Sequence, residues 1–185
     1  MKCFLDTEFI DSGTDIKLIS IGLVLENGLE FYAENSSVDL SMAGDWVKAN
    51  VLPLLWSRSA DKKKANLWSL HGGAGGFMAH EEIGSEIRLF VPAGDKLQFW
   101  GYYSAYDWVA FCQLFGTMMD LPDGFPTYCR DIKQWCDQLG NPKLPEQGSA
   151  AHNALEDARW NFRAWEFLNA IATPVVSAQL PPKFY

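Results

Sequence analysis

The chain has 185 residues, a mass of 20.8 kDa, 48% hydrophobic and 21% charged residues; this is the size and composition of one globular domain and excludes disordered and low-complexity classes. Fifteen basic against 23 acidic residues give a net charge of −8, the wrong sign for a protein that coats nucleic acid non-specifically. No stretch approaches the ~18 apolar residues of a membrane helix, and Asp6 interrupts the N-terminal apolar run before signal-peptide length, so a cytoplasmic protein is expected.

Residues 2–9 form a short apolar run ending in acids. Residues 16–25 are rich in Ile, Leu and Val, the pattern of a strand buried on both faces. Asn27-Gly28 is the preferred dipeptide of a two-residue hairpin turn, and 29–33 supplies the return strand. The first three strands are therefore predicted to form an antiparallel meander. A helix starts at Ser41 or Gly44, with Trp46, Val47, Asn50 and Val51 marking one face. Residues 57–80 carry Lys62-Lys63-Lys64 and Gly72-Gly73-Ala74-Gly75-Gly76 and keep no periodicity, which predicts an inserted mobile loop or flap.

A second helix is predicted over 80–91, with Ile83, Ile87 and Phe90 on a stripe, and a fourth strand over 96–102. In 105–115, Trp108, Phe111, Cys112 and Phe115 repeat at helical spacing. A short fifth strand over 127–129, a helix over 131–139 and a last helix over 153–171 complete the pattern, with Leu155, Ala158, Phe162, Trp165 and Leu168 buried. Pro181-Pro182 lies in an extended tail, 176–185, outside a domain spanning 1–175. The order predicts an α/β fold with a mixed five-stranded sheet flanked by helices. Cys3, Cys112, Cys129 and Cys136 match no zinc spacing and read as reduced, mostly buried thiols.

Three short patterns carry chemistry. In Asp6-Thr7-Glu8, two carboxylates one residue apart on a strand share a face, at the strand end where α/β sheets place ligands. Their repulsion calls for a compensating charge, and divalent cations prefer such oxygen donors. Asp107 follows the fourth strand and opens an otherwise apolar helix; a first-turn acid there is also favoured by the helix dipole alone. In His152-Asn153-Ala154-Leu155-Glu156-Asp157, Asn153 is a candidate N-cap that Glu156 can complete as a capping box, which leaves His152 just outside the helix and free to swing, and Asp157 one turn in. Each pattern by itself also fits ordinary capping or a solvated surface.

Taken together and in this order, Asp-x-Glu on the first strand, Asp after the fourth and His-x4-Asp entering the last helix resemble the DEDD 3′-5′ exonuclease superfamily in its histidine subclass. The wording Asp6-Thr7-Glu8-Phe9-Ile10, Ile19-Ser20-Ile21-Gly22 and 105–116 is similar to the small bacterial exoribonucleases of the RNase AS type. The resemblance implies a ribonuclease H-like fold and a 3′-to-5′ exoribonuclease that takes the 3′ end of single-stranded RNA, adenylate-rich RNA in particular, and releases nucleoside 5′-monophosphates. It implies two Mg²⁺ per site, with Mn²⁺ as a substitute, held by Asp6, Glu8, Asp107 and Asp157, and His152 as general base, since an imidazole titrates near neutral pH. It further implies Thr7 and Phe9 as substrate contacts, Phe9 by stacking on the terminal base, and a homodimer with no membrane association. The alternatives are a DNA-directed or proofreading exonuclease, a catalytically silent DEDD-like binding module and a carboxylate-based metal-binding protein without hydrolytic function. Residues 57–80 and the chain beyond about 171 depart from the family pattern.

Overall fold

The computed structural model describes residues 1–58, 74–92, 94, 96–148 and 151–173. Six strands form one sheet: β1 (Lys2–Asp11), β2 (Ile16–Leu25), β3 (Glu30–Asn35), β4 (Ala74–Met78), β5 (Gln98–Gly101) and β6 (Arg130–Asp131), in the spatial order β4-β3-β2-β1-β5-β6. The helices are α1 (Asp45–Asn50), α2 (His80–Phe90), α3 (Ala105–Gln113), α4 (Ile132–Gln138) and α5 (Ala154–Ala172). β1, β2 and β3 make the expected antiparallel meander, turning at Gly28, whose φ of 86° suits the tight turn. β5 and β6 add in parallel beyond β1, and β4 adds in parallel beyond β3.

The sixth strand is a correction. β4 runs through the glycine cluster that reads as loop: Gly75 has a φ of 123°, and a Cβ there would strike the carbonyl of Tyr32 on β3. Glycine permits this close backbone pairing and at the same time erases the side-chain alternation that identifies a strand. The strand expected at 127–129 lies instead at Arg130–Asp131. The flap expected over 57–80 falls largely on 59–73, and the tail 176–185 falls entirely, outside the described residues.

Alternation along β1 divides the core. Cys3 and Leu5 face Ile83, Ile87, Phe99 and Phe111 on the side of α2 and α3. Phe4 faces Ala154, Leu155, Ala158 and Leu168 on the side of α5. Phe4 stacks on Phe162 with ring centroids 4.9 Å apart. A sheet covered on both faces explains the near-continuous apolar runs in β1 and β2. A third cluster, around Ile10, Ile19, Val51, Leu52 and Leu55, seats α1 and the 3₁₀ turn Leu52–Leu54 against the ends of β1 and β2. The face marked by Trp46, Val47, Asn50 and Val51 is covered only in part: Val51, the C-cap of α1, is buried, whereas Trp46 is 56% exposed. Among the described residues no helix is long and apolar enough to cross a membrane.

Candidate active site

By strand parity Asp6 and Glu8 lie on the same face of β1 as Phe4, the face covered by α5. Pairing of β1 with β5 ends at Phe4 and Trp100, so the outer edge of β1 is open beyond that point. Asp107 fills the gap. The backbone N–H and the hydroxyl of Thr7 both donate to its Oδ1, at 2.9 and 2.7 Å. On the other edge, register shifts between Glu8 and Phe9, where β2 contributes Ile19 as an extra residue. Such bulges re-aim side chains at strand ends.

Two glycine-and-amide contacts bring α5 to these acids. Gly22 pairs with Asp6 across β1 and β2, and its missing side chain leaves room for the backbone of Ala154 and Leu155 at the start of α5. The buried Asn161 side chain donates to the Leu5 carbonyl at 2.8 Å. One turn into α5, Asp157 is held at both oxygens: the His152 N–H donates to Oδ2 at 2.8 Å and Gln147 Nε2 to Oδ1 at 2.5 Å. Glu8, His152 and Asp157 each offer a ligating atom within 4.8 Å of the others. Asp6, Glu8, Asp107, His152 and Asp157 thus meet where the β5 edge of β1 opens; β1 itself runs on to Asp11, so Asp6 and Glu8 lie within the strand and not at the strand end that the sequence suggests.

His152 adopts a left-handed φ of 73°, unusual for a residue other than glycine. Its exposed ring packs edge-on against Trp46, centroids 4.8 Å apart. It is therefore not free of partners at its ring, as the bare sequence suggests. Asn153 caps α5 by accepting the Glu156 N–H at 3.3 Å. The reciprocal half of the capping box is absent, because the Glu156 carboxylate accepts from Arg159 instead. Phe9 is half-buried and stacks on the exposed Tyr106, centroids 5.8 Å apart and planes 26° apart. Thr7 is buried, and its hydroxyl is committed to Asp107.

The electrostatics match a site awaiting positive charge. Burial pushes the Glu8 carboxyl up to about 8, with Asp157 and Asp107 adding repulsion. Burial raises Asp107 to about 6, against the pull of the two Thr7 donors. Asp6 is held well above the carboxylate range by burial and then by its three acidic neighbours, and Asp157 is raised by burial despite its two donors. Four such carboxylates together fit divalent cations with oxygen preference, Mg²⁺ or Mn²⁺, better than zinc.

Residues 1–169 match the family described as the 3′-5′ exoribonuclease Rv2179c-like domain. The chain belongs to this family. It is 35% identical over 172 residues to the 3′-5′ exoribonuclease Rv2179c of Mycobacterium tuberculosis strain ATCC 25618 / H37Rv, a span of 92% of this chain and 94% of that protein. It is equally similar, over the same span, to the 3′-5′ exoribonuclease MT2234.1 of strain CDC 1551 / Oshkosh. Among solved structures, S. pombe Pop2p in its Mg²⁺ and Mn²⁺ bound form aligns with a TM-score of 0.52 and 14% identity, covering 91% of this chain and 82% of that one. That likeness is one of fold, and it agrees with the expected ribonuclease H-like α/β architecture.

Gln147, Asn161, Gly22, Trp46 and Tyr106 adjoin this candidate site, and none but Gly22 carries a local sequence signal for that role. Gln147 sits in an aperiodic loop, and Asn161 reads as a mid-helix polar residue. The signal for Gly22 was a glycine inside an otherwise β-branched and apolar strand, which marks a close backbone approach.

Proposed function

We propose that this chain is a metal-dependent 3′-to-5′ exoribonuclease of the RNase AS type, acting on single-stranded, preferentially adenylate-rich RNA. The observation that carries the reading is the convergence of Asp6, Glu8, Asp107, Asp157 and His152 beside the open edge of β1, in a chain of a 3′-5′ exoribonuclease family. The four carboxylates would hold two divalent ions, with His152 at the mouth.

The chain's own residues then divide the work. His152 accepts the proton of the attacking water, whose oxygen forms the new bond to the terminal phosphorus. The bond from phosphorus to the 3′ oxygen of the penultimate nucleotide breaks, that oxygen takes a proton from solvent, and a nucleoside 5′-monophosphate leaves. Divalent ions in the carboxylate cage would offset the charge of the phosphodiester and of the departing oxygen. Thr7 and Gln147 fix the carboxylates that they touch, so Thr7 serves the substrate by orienting Asp107. Phe9, backed by Tyr106, is the stacking surface for the terminal base, a contact of ~1–3 kcal/mol. With a net charge of −8, stacking and bound cations carry binding that basic residues supply elsewhere.

A cytoplasmic location and a homodimer belong to the same reading. The four free cysteines suit a reducing compartment, and sedimentation tests the dimer. The test of the activity is degradation of matched RNA and DNA homopolymers with Mg²⁺, Mn²⁺ or EDTA. RNA loss in both metals, fastest for oligoadenylate and absent in EDTA, supports the proposal. Equal degradation of DNA would favour the DNA-directed alternative, and no degradation the silent module.

A further inference from the structure

A buried carboxylate that the chemistry does not use stands on β3. Glu34, near the end of β3, is 1% exposed. It accepts the Tyr32 hydroxyl at 2.7 Å and the backbone N–H groups of Trp56 and Ser57 at 2.5 and 3.1 Å. Burying a carboxylate is costly unless donors surround it, so this arrangement specifies one placement of the chain through 54–57. Tyr32 in turn is reached by the Asn153 side-chain amide, whose Nδ2 lies 3.5 Å from the Tyr32 hydroxyl and 3.4 Å from the Leu54 carbonyl. Asn153 directly follows His152.

We propose that Tyr32 and Asn153 are positioning residues for His152, with Glu34 as their anchor in the sheet. The inference rests on the reading of His152 as general base. Two independent ties hold His152. The bond from its N–H to Asp157 fixes it to its own helix only. The Asn153 amide fixes the same turn to β3 and to the 3₁₀ turn Leu52–Leu54. That turn also ends the chain segment that begins with α1, whose Trp46 meets the His152 ring. Glu34, through Tyr32 and the Trp56 and Ser57 amides, thereby anchors the elements that the Asn153 amide touches. A left-handed φ at a residue other than glycine persists only where its surroundings hold it, and the Asn153 amide supplies that restraint.

The geometry assigns Asn153 two separable duties. Its Oδ1 caps α5, a task that serine performs equally well; its Nδ2 makes the ties to Tyr32 and Leu54, which serine lacks. Asn153→Ser therefore keeps the cap and removes both ties, and Tyr32→Phe removes the tie to β3 and the link to Glu34 while keeping the buried ring and the tie to Leu54.

The test uses the full chain with Mg²⁺ and a 5′-labelled oligoadenylate, alongside melting temperature and amide hydrogen exchange at His152. Each variant is expected to lower kcat roughly tenfold to a hundredfold, the usual cost of a misplaced catalytic group, with KM changed by no more than about twofold. Exchange of the His152 amide should quicken in both variants and the Mg²⁺-induced rise in melting temperature should persist; melting should stay near wild type in Asn153→Ser and fall in Tyr32→Phe, which also takes a donor from the buried Glu34. Wild-type kcat with unchanged exchange in both variants overturns the proposal. So does a fall in kcat that comes only with a lowered melting temperature and loss of the Mg²⁺ response, since that is general unfolding. If His152→Ala itself keeps wild-type kcat, the general-base reading fails, and exchange at His152 alone then decides whether Tyr32 and Asn153 hold the turn.

Discussion

Gly22 of β2 lies directly beneath the backbone carbonyl of Ala154, the first residue of α5, so that any side chain at 22 would occupy the helix terminus. The same glycine pairs with Asp6. The contact therefore sets the height of Asp157 above the strand that carries Asp6 and Glu8. Gly22→Ala should lift α5, costing about 1–3 kcal/mol of stability by overpacking. Activity should fall further than stability does, because the carboxylates separate. Denaturant midpoints and hydrolysis rates on the same sample measure the two effects; an alanine variant with wild-type activity would show that the approach is dispensable.

The four carboxylates should behave as a unit. Asp6→Ala, Glu8→Ala, Asp107→Ala and Asp157→Ala are each expected to abolish nearly all hydrolysis and the Mg²⁺-induced rise in melting temperature. The metal-free Asp6→Ala and Glu8→Ala variants should melt no lower than wild type, because removing one buried acid relieves the others, whereas Asp107→Ala and Asp157→Ala also strand the donors that those carboxylates accept. Glu156→Gln is the control. Glu156 pairs with Arg159 at the surface of α5, and its loss should cost about 1 kcal/mol or less. One of the four alanine variants with full Mg²⁺-dependent activity would remove that residue from the site.

Stability of the metal-free protein should fall as pH rises. Glu8 titrates at about 8 in the folded chain against an ordinary 4.5, and Asp107 at about 6 against 3.8. The folded state binds more protons than the unfolded state between those values, so the stability present at low pH is lost as pH climbs from the ordinary carboxylate range through 8. Thermal melts in EDTA should show a falling melting temperature across that window, and Glu8→Gln should flatten the part above pH 6. Saturating Mg²⁺ should raise the melting temperature most at the alkaline end. A melting temperature independent of pH in EDTA would contradict the buried-acid account.

Thr7→Val tests how Asp107 is held. The substitution removes the hydroxyl donor at 2.7 Å and leaves the backbone donor at 2.9 Å. Apparent Mg²⁺ affinity should weaken by about tenfold, typical of a lost partner behind a ligand. Titration of melting temperature with Mg²⁺ reads this directly, and an unchanged midpoint would make the hydroxyl incidental.

How far the sequence discloses all this depends on the kind of signal. Asp6 and Glu8 are legible as acids that interrupt an apolar strand, which runs past them to Asp11; Asp107, His152 and Asp157 are legible because each stands near an element boundary that hydrophobic periodicity locates, a helix start or a helix cap. The antiparallel meander is legible for the same reason, with Asn27-Gly28 as its turn. β4 is not, since Gly75 and Gly76 have no side chains to alternate. Trp46 misleads, because an aromatic residue at helical spacing reads as core, whereas α1 is short and buries little beyond Val47 and Val51. Gln147 and the tie from Asn153 to Tyr32 are long-range contacts between a loop or cap and another element, and local pattern carries no record of them.

The central claim is that these carboxylates and His152 remove nucleotides one at a time from an RNA 3′ end. A time course on a 5′-labelled single-stranded RNA with Mg²⁺ tests it most directly, using wild type, Asp157→Ala and His152→Ala. The account predicts a ladder that shortens stepwise from the 3′ end with release of nucleoside 5′-monophosphates. Cleavage should be lost in EDTA and in Asp157→Ala, and slowed by ~10²–10⁴ in His152→Ala. Internal cleavage products, or an undiminished rate in Asp157→Ala, would contradict it.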